Sequence, residues 1–227
     1  MLVKNWMSTD LITIDVDDSM QNAVNLLREK GINMMPVLEN GLLAGVISDR
    51  DLRKASASDA TLLETHELRY LLLKIKVRDI MSKAPVTVTP EFTVEETAQM
   101  MLEKGISGVP VVEKAGNVVG VITKTDIFKV LIALTGVGKR GIQFAFQLED
   151  SSGSIKKVAD IIRNFGGRMI SILSSYENAP PGYRKVYIRV FEIERDKLLG
   201  LQDALREKFQ LLYMVDHREN RREIFDH

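Results

Sequence analysis

Gly45-Val46-Ile47-Ser48-Asp49-Arg50-Asp51 and Gly120-Val121-Ile122-Thr123-Lys124-Thr125-Asp126 are one pattern written twice, and the chain around them is duplicated. In each, an apolar run headed by glycine passes into a hydroxyl residue followed three positions later by aspartate. That order predicts a strand running directly into a helix. Reading outward, Met7-Ser8 falls on Met81-Ser82, Thr13 on Thr87, Gly31-Ile32 on Gly105-Ile106 and Pro36-Val37 on Pro110-Val111. The register is 74 residues up to Val37 and 75 from Gly45 onward. The extra residue belongs to the intervening turn, Asn40-Gly41 in one copy and Ala115-Gly116-Asn117 in the other, where insertion is tolerated.

Each copy reads as β-α-β-β-α. Strands are expected at Leu11 to Ile14 and Val86 to Val88, ahead of helices whose apolar positions are Met20, Ala23, Val24 and Leu27, then Val94, Thr97, Ala98 and Met101. Ser19 and Thr93 stand as N-caps, Glu96 completes a capping box, and Gly31 and Gly105 suit the left-handed C-terminal position. Hairpins follow, Val37-Leu38 with Leu43 to Ile47 and Val111-Val112 with Val118 to Ile122, and second helices begin near Asp51 and Asp126. A repeat of about 50 residues buries too little apolar surface alone, so the copies are expected to pack together. Arg53 to Lys76 reads as the first copy's second helix plus a leucine-bearing connector (Leu62, Leu63, Leu68, Leu71, Leu72, Leu73).

Composition narrows the function classes. Lys and Arg total 31, as do Asp and Glu, which leaves no broad positive field for nucleic acid. There is no cysteine, hence no disulfide, thiolate nucleophile or cysteine-held zinc, and His66, His217 and His227 lie too scattered for a metal site. No stretch approaches the roughly 20 apolar residues of a membrane helix and the N-terminus has no signal-peptide pattern, so a cytoplasmic protein is expected. No nucleophile-base pair, carboxylate pair or metal constellation suggests catalysis. Ser151, Ser152 and Ser154 read as turn and cap residues with no histidine partner.

Past the repeat, Leu131 to Gly141 reads as a glycine-punctuated linker (Gly136, Gly138, Gly141). Ile142, Phe144, Phe146 and Leu148 alternate as a half-buried strand. A helix then carries Ile155, Val158, Ala159 and Ile162 and ends near Gly166-Gly167. Strands at Met169 to Ser174 and Tyr183 to Phe191 flank a Pro180-Pro181-Gly182 tip, a helix carries Leu198, Leu201, Leu205 and Phe209, and a last strand covers Leu211 to Val215. The order β-α-β-β-α-β is the ferredoxin-like arrangement. Arg218, Arg221 and Arg222 among Asp216, Glu219 and Glu223 read as a solvated charged end.

The motif V-(R/K)-x-x-M-S, the Pro-Val hairpin and G-(V/I)-I-(S/T)-x-x-D resemble the CBS domain, and their duplication resembles a CBS pair, or Bateman module. Asp150 to Ile155 resembles the D-x-x-G-x-(L/I) loop of ACT domains, although Arg168 stands where amino-acid-binding members carry asparagine. The order CBS, CBS, ACT resembles the acetoin-utilisation B-type (AcuB-like) regulatory proteins. The expected fold class is α+β, a CBS-domain pair over residues 1–135 (copies at about 1–60 and 75–135) followed by a ferredoxin-like ACT-like domain over 142–217. Residues 136–141 form the linker and 218–227 the charged tail.

The resemblance implies an adenine nucleotide (AMP, ADP, ATP or S-adenosylmethionine) as regulatory ligand and a homodimer as the assembly. Ser48-x-x-Asp51 and Thr123-x-x-Asp126 would hold ribose, since a carboxylate can accept from both cis hydroxyls. The same residues also make an ordinary helix cap. Thr13, Ile14, Thr87 and Val88, with Asn33-Met34-Met35-Pro36 and Ser107-Gly108-Val109-Pro110, would wall the adenine, while Arg50 or Lys124 would meet phosphate. In the ACT-like loop, Asp150, Ser151, Ser152, Gly153 and Ser154 would receive a small anionic or amino-acid effector. The rival reading is a structural oligomerisation scaffold that senses no ligand. In the sensor reading, Thr135 to Gly141 is the expected pivot.

Overall fold

The computed structural model describes residues 1–59 and 74–225, and the chain divides into two compact units, Met1–Phe128 and Lys129–His227. In the first, a short 3-10 helix (Val3–Asn5) precedes β1 (Ile14–Asp15), α1 (Met20–Lys30), β2 (Met34–Glu39), β3 (Leu42–Ser48) and α2 (Asp49–Asp59). The second copy supplies α3 (Val77–Ile80), β4 (Ser82–Lys83), α4 (Val94–Lys104), β5 (Gly108–Val112), β6 (Val118–Thr123) and α5 (Lys124–Thr135). The leucine segment Leu62 to Leu73 lies outside the described residues.

Helix ends fall where their caps place them. Ser19 Oγ accepts from the Asn22 N–H at 3.1 Å, and Gly31 closes α1 at φ 62°. Thr93 and Glu96 exchange hydrogen bonds of 3.2 and 2.9 Å as a capping box, and Gly105 closes α4 at φ 64°. Met20, Ala23 and Leu27 on α1, and Val94, Thr97 and Met101 on α4, are buried, as helical spacing requires. The first strands are shorter than the apolar runs suggest. β1 lies parallel to β2 through Ile14↔Val37, and Val88 forms a single parallel bridge with Val111.

The copies exchange their leading segments. β4 of the second copy adds to the first copy's hairpin as Gly45↔Lys83 and Val46↔Ser82. Reciprocally, the first copy's Ser8 pairs with Val121, with N–H to carbonyl distances of 2.9 and 3.0 Å. A β-carbon on Gly45 would lie 2.8 Å from Met81 Sδ, and one on Gly120 would lie 2.6 Å from Met7 Sδ. The glycine heading each repeated pattern is thus set by the other copy's methionine, because a real β-carbon needs more room. Val3 and Val77, which begin the two leading segments, are fully buried.

The second unit contains β7 (Ile142–Glu149), α6 (Ser154–Asn164), β8 (Arg168–Ser175), β9 (Tyr183–Phe191), α7 (Arg195–Lys208), β10 (Gln210–Asp216) and β11 (Arg221–Ile224). Its sheet runs β11-β10-β7-β9-β8 with every neighbour antiparallel. This is the expected β-α-β-β-α-β order with an added edge strand. Phe144, Phe146, Ile188 and Val190 on the sheet pack with Val158 and Ile162 of α6 and Leu201 and Leu205 of α7 in one core. Burying each such side chain contributes about 1.5–3 kcal/mol before conformational entropy is subtracted.

Two expectations are corrected here. The charged end includes β11, whose alternating charges suit an edge strand. Arg218 folds back so that its Nη2 donates to the buried Asp216 Oδ2 at 2.8 Å. Leu131 to Thr135 is not linker but the last part of α5, since its residues favour helix and the glycines begin only at 136.

Of the glycines after it, Gly136 and Gly141 are closely packed. A β-carbon on Gly136 would meet Ile170 Cγ2 at 2.2 Å, and one on Gly141 would meet the Val190 carbonyl oxygen at 2.1 Å. The Thr135 carbonyl accepts from Arg189 Nε at 2.7 Å and from Ser171 Oγ at 3.0 Å. Arg189 is 4% exposed, and burial pulls its guanidinium below its usual value.

Candidate functional site

At the end of β3 the chain turns straight into α2, which brings Ser48 and Asp51 together. Ser48 N–H and Oγ both donate to Asp51 Oδ2, at 2.9 and 2.5 Å, and the Asp51 N–H reaches Ser48 Oγ at 3.4 Å. Thr123 and Asp126 repeat this at the start of α5, with donor distances of 3.0 and 2.7 Å to Asp126 Oδ2. The capping reading is therefore correct in geometry, and it accounts for one carboxylate oxygen of each aspartate. The second oxygen of Asp51, Oδ1, accepts from Ser82 Oγ of the other repeat at 3.3 Å.

Beside Asp51 lies a cavity of about 570 Å³ built from both repeats. The first copy contributes Asn33, Met34, Val46, Ser48, Asp49, Arg50, Asp51 and Arg53. The second contributes Ser82 to Val86, Gly105 to Gly108, and Pro110. Of the residues expected to wall an adenine, Asn33, Met34, Ser107, Gly108 and Pro110 line this space, together with Arg50 and the Ser48-Asp51 pair.

Ile14, Met35, Pro36, Val88 and Val109 do not line it. They are buried in the first unit's interior, Ile14 on β1, Met35 and Pro36 on β2, Val109 on β5 and Val88 at its single bridge to Val111. Thr13 and Thr87 also stand outside this cavity, as do Thr123, Lys124 and Asp126, which belong to the second strand-to-helix junction.

Sequence reasoning missed Ser82, Lys83, Ala84, Pro85, Val86 and Arg53. The signal available was the match of Met81-Ser82 to Met7-Ser8 together with the paired glycines, which mark where one copy touches the other. Ala84 is held at φ 49° directly before Pro85, a left-handed conformation that a β-carbon makes unfavourable by about 1–2 kcal/mol.

In the second unit, the loop Asp150 to Ser154 splits. Ser151 and Ser154 line a cavity of about 670 Å³ with Gln147, Lys157, Asp160, Tyr183, Lys208 and Gln210. Asp150 turns instead to Tyr176 Oη, which donates at 3.3 Å, and to Arg184 Nε at 3.7 Å, while Arg184 Nη2 donates to Ser154 Oγ at 3.0 Å. Ser152 and Gly153 are exposed, and Gly153 opens α6 at φ 82°. Arg168 sits over the Phe191 ring at 5.2 Å and pairs with Glu192 at 3.5 Å, outside this cavity.

Among the described residues no histidine-carboxylate group is disposed to hold a metal ion, and no helix is long and apolar enough to cross a membrane.

The CBS domain family model matches residues 3–58 and 77–133. A CBS domain-containing protein of Dictyostelium discoideum is 39% identical over 133 residues, 58% of this chain and 91% of that protein. The chain belongs to the CBS-domain family. Among solved structures, this CBS pair is similar to one obtained in complex with 5'-methylthioadenosine and S-adenosyl-L-methionine. That likeness has 30% identity and a TM-score of 0.50, covering 58% of this chain and 99% of that one. The acetoin utilization protein AcuB of Vibrio cholerae shares the fold at 24% identity and TM-score 0.51, covering 61% of this chain and 96% of that one. The family match ends at residue 133, so the second unit rests on its own topology.

Proposed function

We propose that this chain is a non-catalytic regulatory protein whose CBS pair binds an adenine-containing ligand, with Asp51 holding the ribose. The observation that carries the reading is a carboxylate, oriented by Ser48 and Ser82, at the wall of a cavity to which both repeats contribute. A ribose supplies two adjacent hydroxyl donors, and a carboxylate accepts such donors in charge-assisted bonds. Met34, Ile106 and Pro110 offer the apolar surface that an adenine face needs. A similar CBS pair holding two adenosine derivatives supports the same ligand class. Regulation follows from chemistry of this kind, because a binding site without reacting groups can act only by favouring one conformation or assembly.

The second unit is read as an ACT-like domain that supports a homodimer and receives a small anionic effector near Ser151 and Ser154. Lys157 and Lys208 line the same cavity and offer an anion two cations, although Glu149 and Asp160 line it as well. Asp150, bonded to Tyr176 and flanked by Arg184, is already engaged within the protein, which speaks against a role in seating an ammonium group.

Calorimetric titration with AMP, ADP, ATP, S-adenosylmethionine and NADH tests the adenine reading. At least one should bind, and Asp51→Ala should abolish binding at its cavity with the circular dichroism spectrum unchanged. Ligand at about 100 times its dissociation constant should stabilise the protein by roughly 2.7 kcal/mol. If no adenine ligand binds or shifts the melting temperature at millimolar concentration, the structural scaffold is the correct reading.

A further inference from the structure

We infer that the two repeats select adenosine ligands of different charge: the Asp51 cavity takes one carrying a phosphate, and the Asp126 counterpart takes one without. This rests on the adenine-binding reading above and adds the ligand class for each site. The repeat register supplies the comparison. Asp49, Arg50 and Arg53 correspond to Lys124, Thr125 and Phe128, while Lys83 and Ala84 correspond to Thr9 and Asp10. The correspondence is spatial as well as sequential, because Ser8 pairs with Val121 as Ser82 pairs with Val46. Thr9-Asp10 therefore follows the second junction's strand as Lys83-Ala84 follows the first.

Around Asp51 the charge balance is positive. Arg53 is paired with Asp49, and the Asp51 carboxylate accepts hydrogen bonds from the neutral groups of Ser48 and Ser82. Arg50 and Lys83 line the cavity with no ion-pair or hydrogen-bond partner among the described residues. Two unpaired cations facing one cavity are what a phosphate requires: a guanidinium that can fork onto two oxygens and an ammonium that supplies a point charge.

Around Asp126 the surplus is gone. Lys124 is the lone cation among the equivalent positions, which also include the carboxylate Asp10, while threonine replaces Arg50 and Lys83 and phenylalanine replaces Arg53. A phosphate there would meet a carboxylate and an aromatic ring. An adenosine whose 5' substituent is uncharged meets no such penalty.

The test uses the full chain and two probes, AMP and 5'-methylthioadenosine, titrated calorimetrically into wild type, Arg50→Gln/Lys83→Gln, Asp51→Ala and Asp126→Ala. The double variant should weaken AMP at least tenfold and change 5'-methylthioadenosine less than twofold. AMP affinity for wild type should also fall with added salt, as screening of the two cations demands. Asp51→Ala should remove AMP binding, and Asp126→Ala should remove 5'-methylthioadenosine binding with AMP retained. AMP bound equally by wild type and the double variant overturns the assignment, as does equal weakening of both probes. An exchange of ligands between the two aspartate variants does the same. Failure of the adenine reading looks different: neither probe then binds the wild type at millimolar concentration.

Discussion

Gly45→Ala tests the exchange of leading segments between the repeats. The new β-carbon would stand 2.8 Å from Met81 Sδ and 2.8 Å from the Ser82 carbonyl oxygen. Ordinary contacts to carbon begin near 3.5 Å, so each neighbour must retreat by about 0.6 Å or more. The thioether can rotate away cheaply. The Ser82 carbonyl cannot, because it belongs to the β3–β4 pairing of Val46 with Ser82. Overpacking costs about 1–3 kcal/mol, and each backbone hydrogen bond lost adds about 0.5–1.5 kcal/mol. A total of about 2–3 kcal/mol follows, centred on the first unit.

Trp6, the sole tryptophan, reports on that unit, so urea denaturation followed by its fluorescence isolates the effect from the second unit. Gly120→Ala is the internal comparison. There the 2.6 Å neighbour is the movable Met7 Sδ and the Ser8 carbonyl lies at 3.0 Å, so the loss should be smaller. A change below about 0.5 kcal/mol for Gly45→Ala, within the range of an ordinary surface substitution, would refute the reasoning.

Asp216 is held below the ordinary carboxylate range. Burial alone would raise it, but hydrogen bonds and charge from Arg218 prevail. The resulting stability is present above the unfolded value of about 3.9 and is lost as pH falls through the lower folded value. Asp216→Asn should flatten the acid limb of the second unit's stability profile, and profiles that stay parallel would contradict this. Arg189→Met removes the donors to the Thr135 carbonyl and to Gln143 Oε1. A loss of about 2 kcal/mol is expected, with faster amide exchange at Gly136, and unchanged exchange there would show that Ser171 alone fixes the connector. Light scattering at micromolar concentration should give a dimer or larger, and a monomer would remove the homodimer reading.

What the sequence disclosed was local. Ser19, Thr93, Glu96, Gly31 and Gly105 set helix ends through hydrogen bonds within a few residues, so the same spacing that suggests them also makes them. The hairpins likewise followed from Asn40-Gly41 and the glycine turn of the second copy. What stayed hidden was non-local. β4 is too short to show alternation, and its partner β3 lies in the other repeat, so Ser82 to Val86 could not be placed beside Asp51 from periodicity. β11 was masked by its own charges, which are what an edge strand carries. The charge difference between the two junctions was legible in part, through Arg50 against Thr125, but the place of Lys83 beside Arg50 depends on the exchanged segment.

The exchange also bears on how the first unit can be divided. Each repeat lends its opening segment to the other, so a single repeat alone would have an unpaired strand edge and a glycine-lined slot with no methionine to fill it. Two such repeats supplied as separate polypeptides, cut within residues 60–73, retain both halves of each exchange. They should therefore reconstitute the unit by mutual complementation at one-to-one stoichiometry, while either piece alone should search for a second copy of itself.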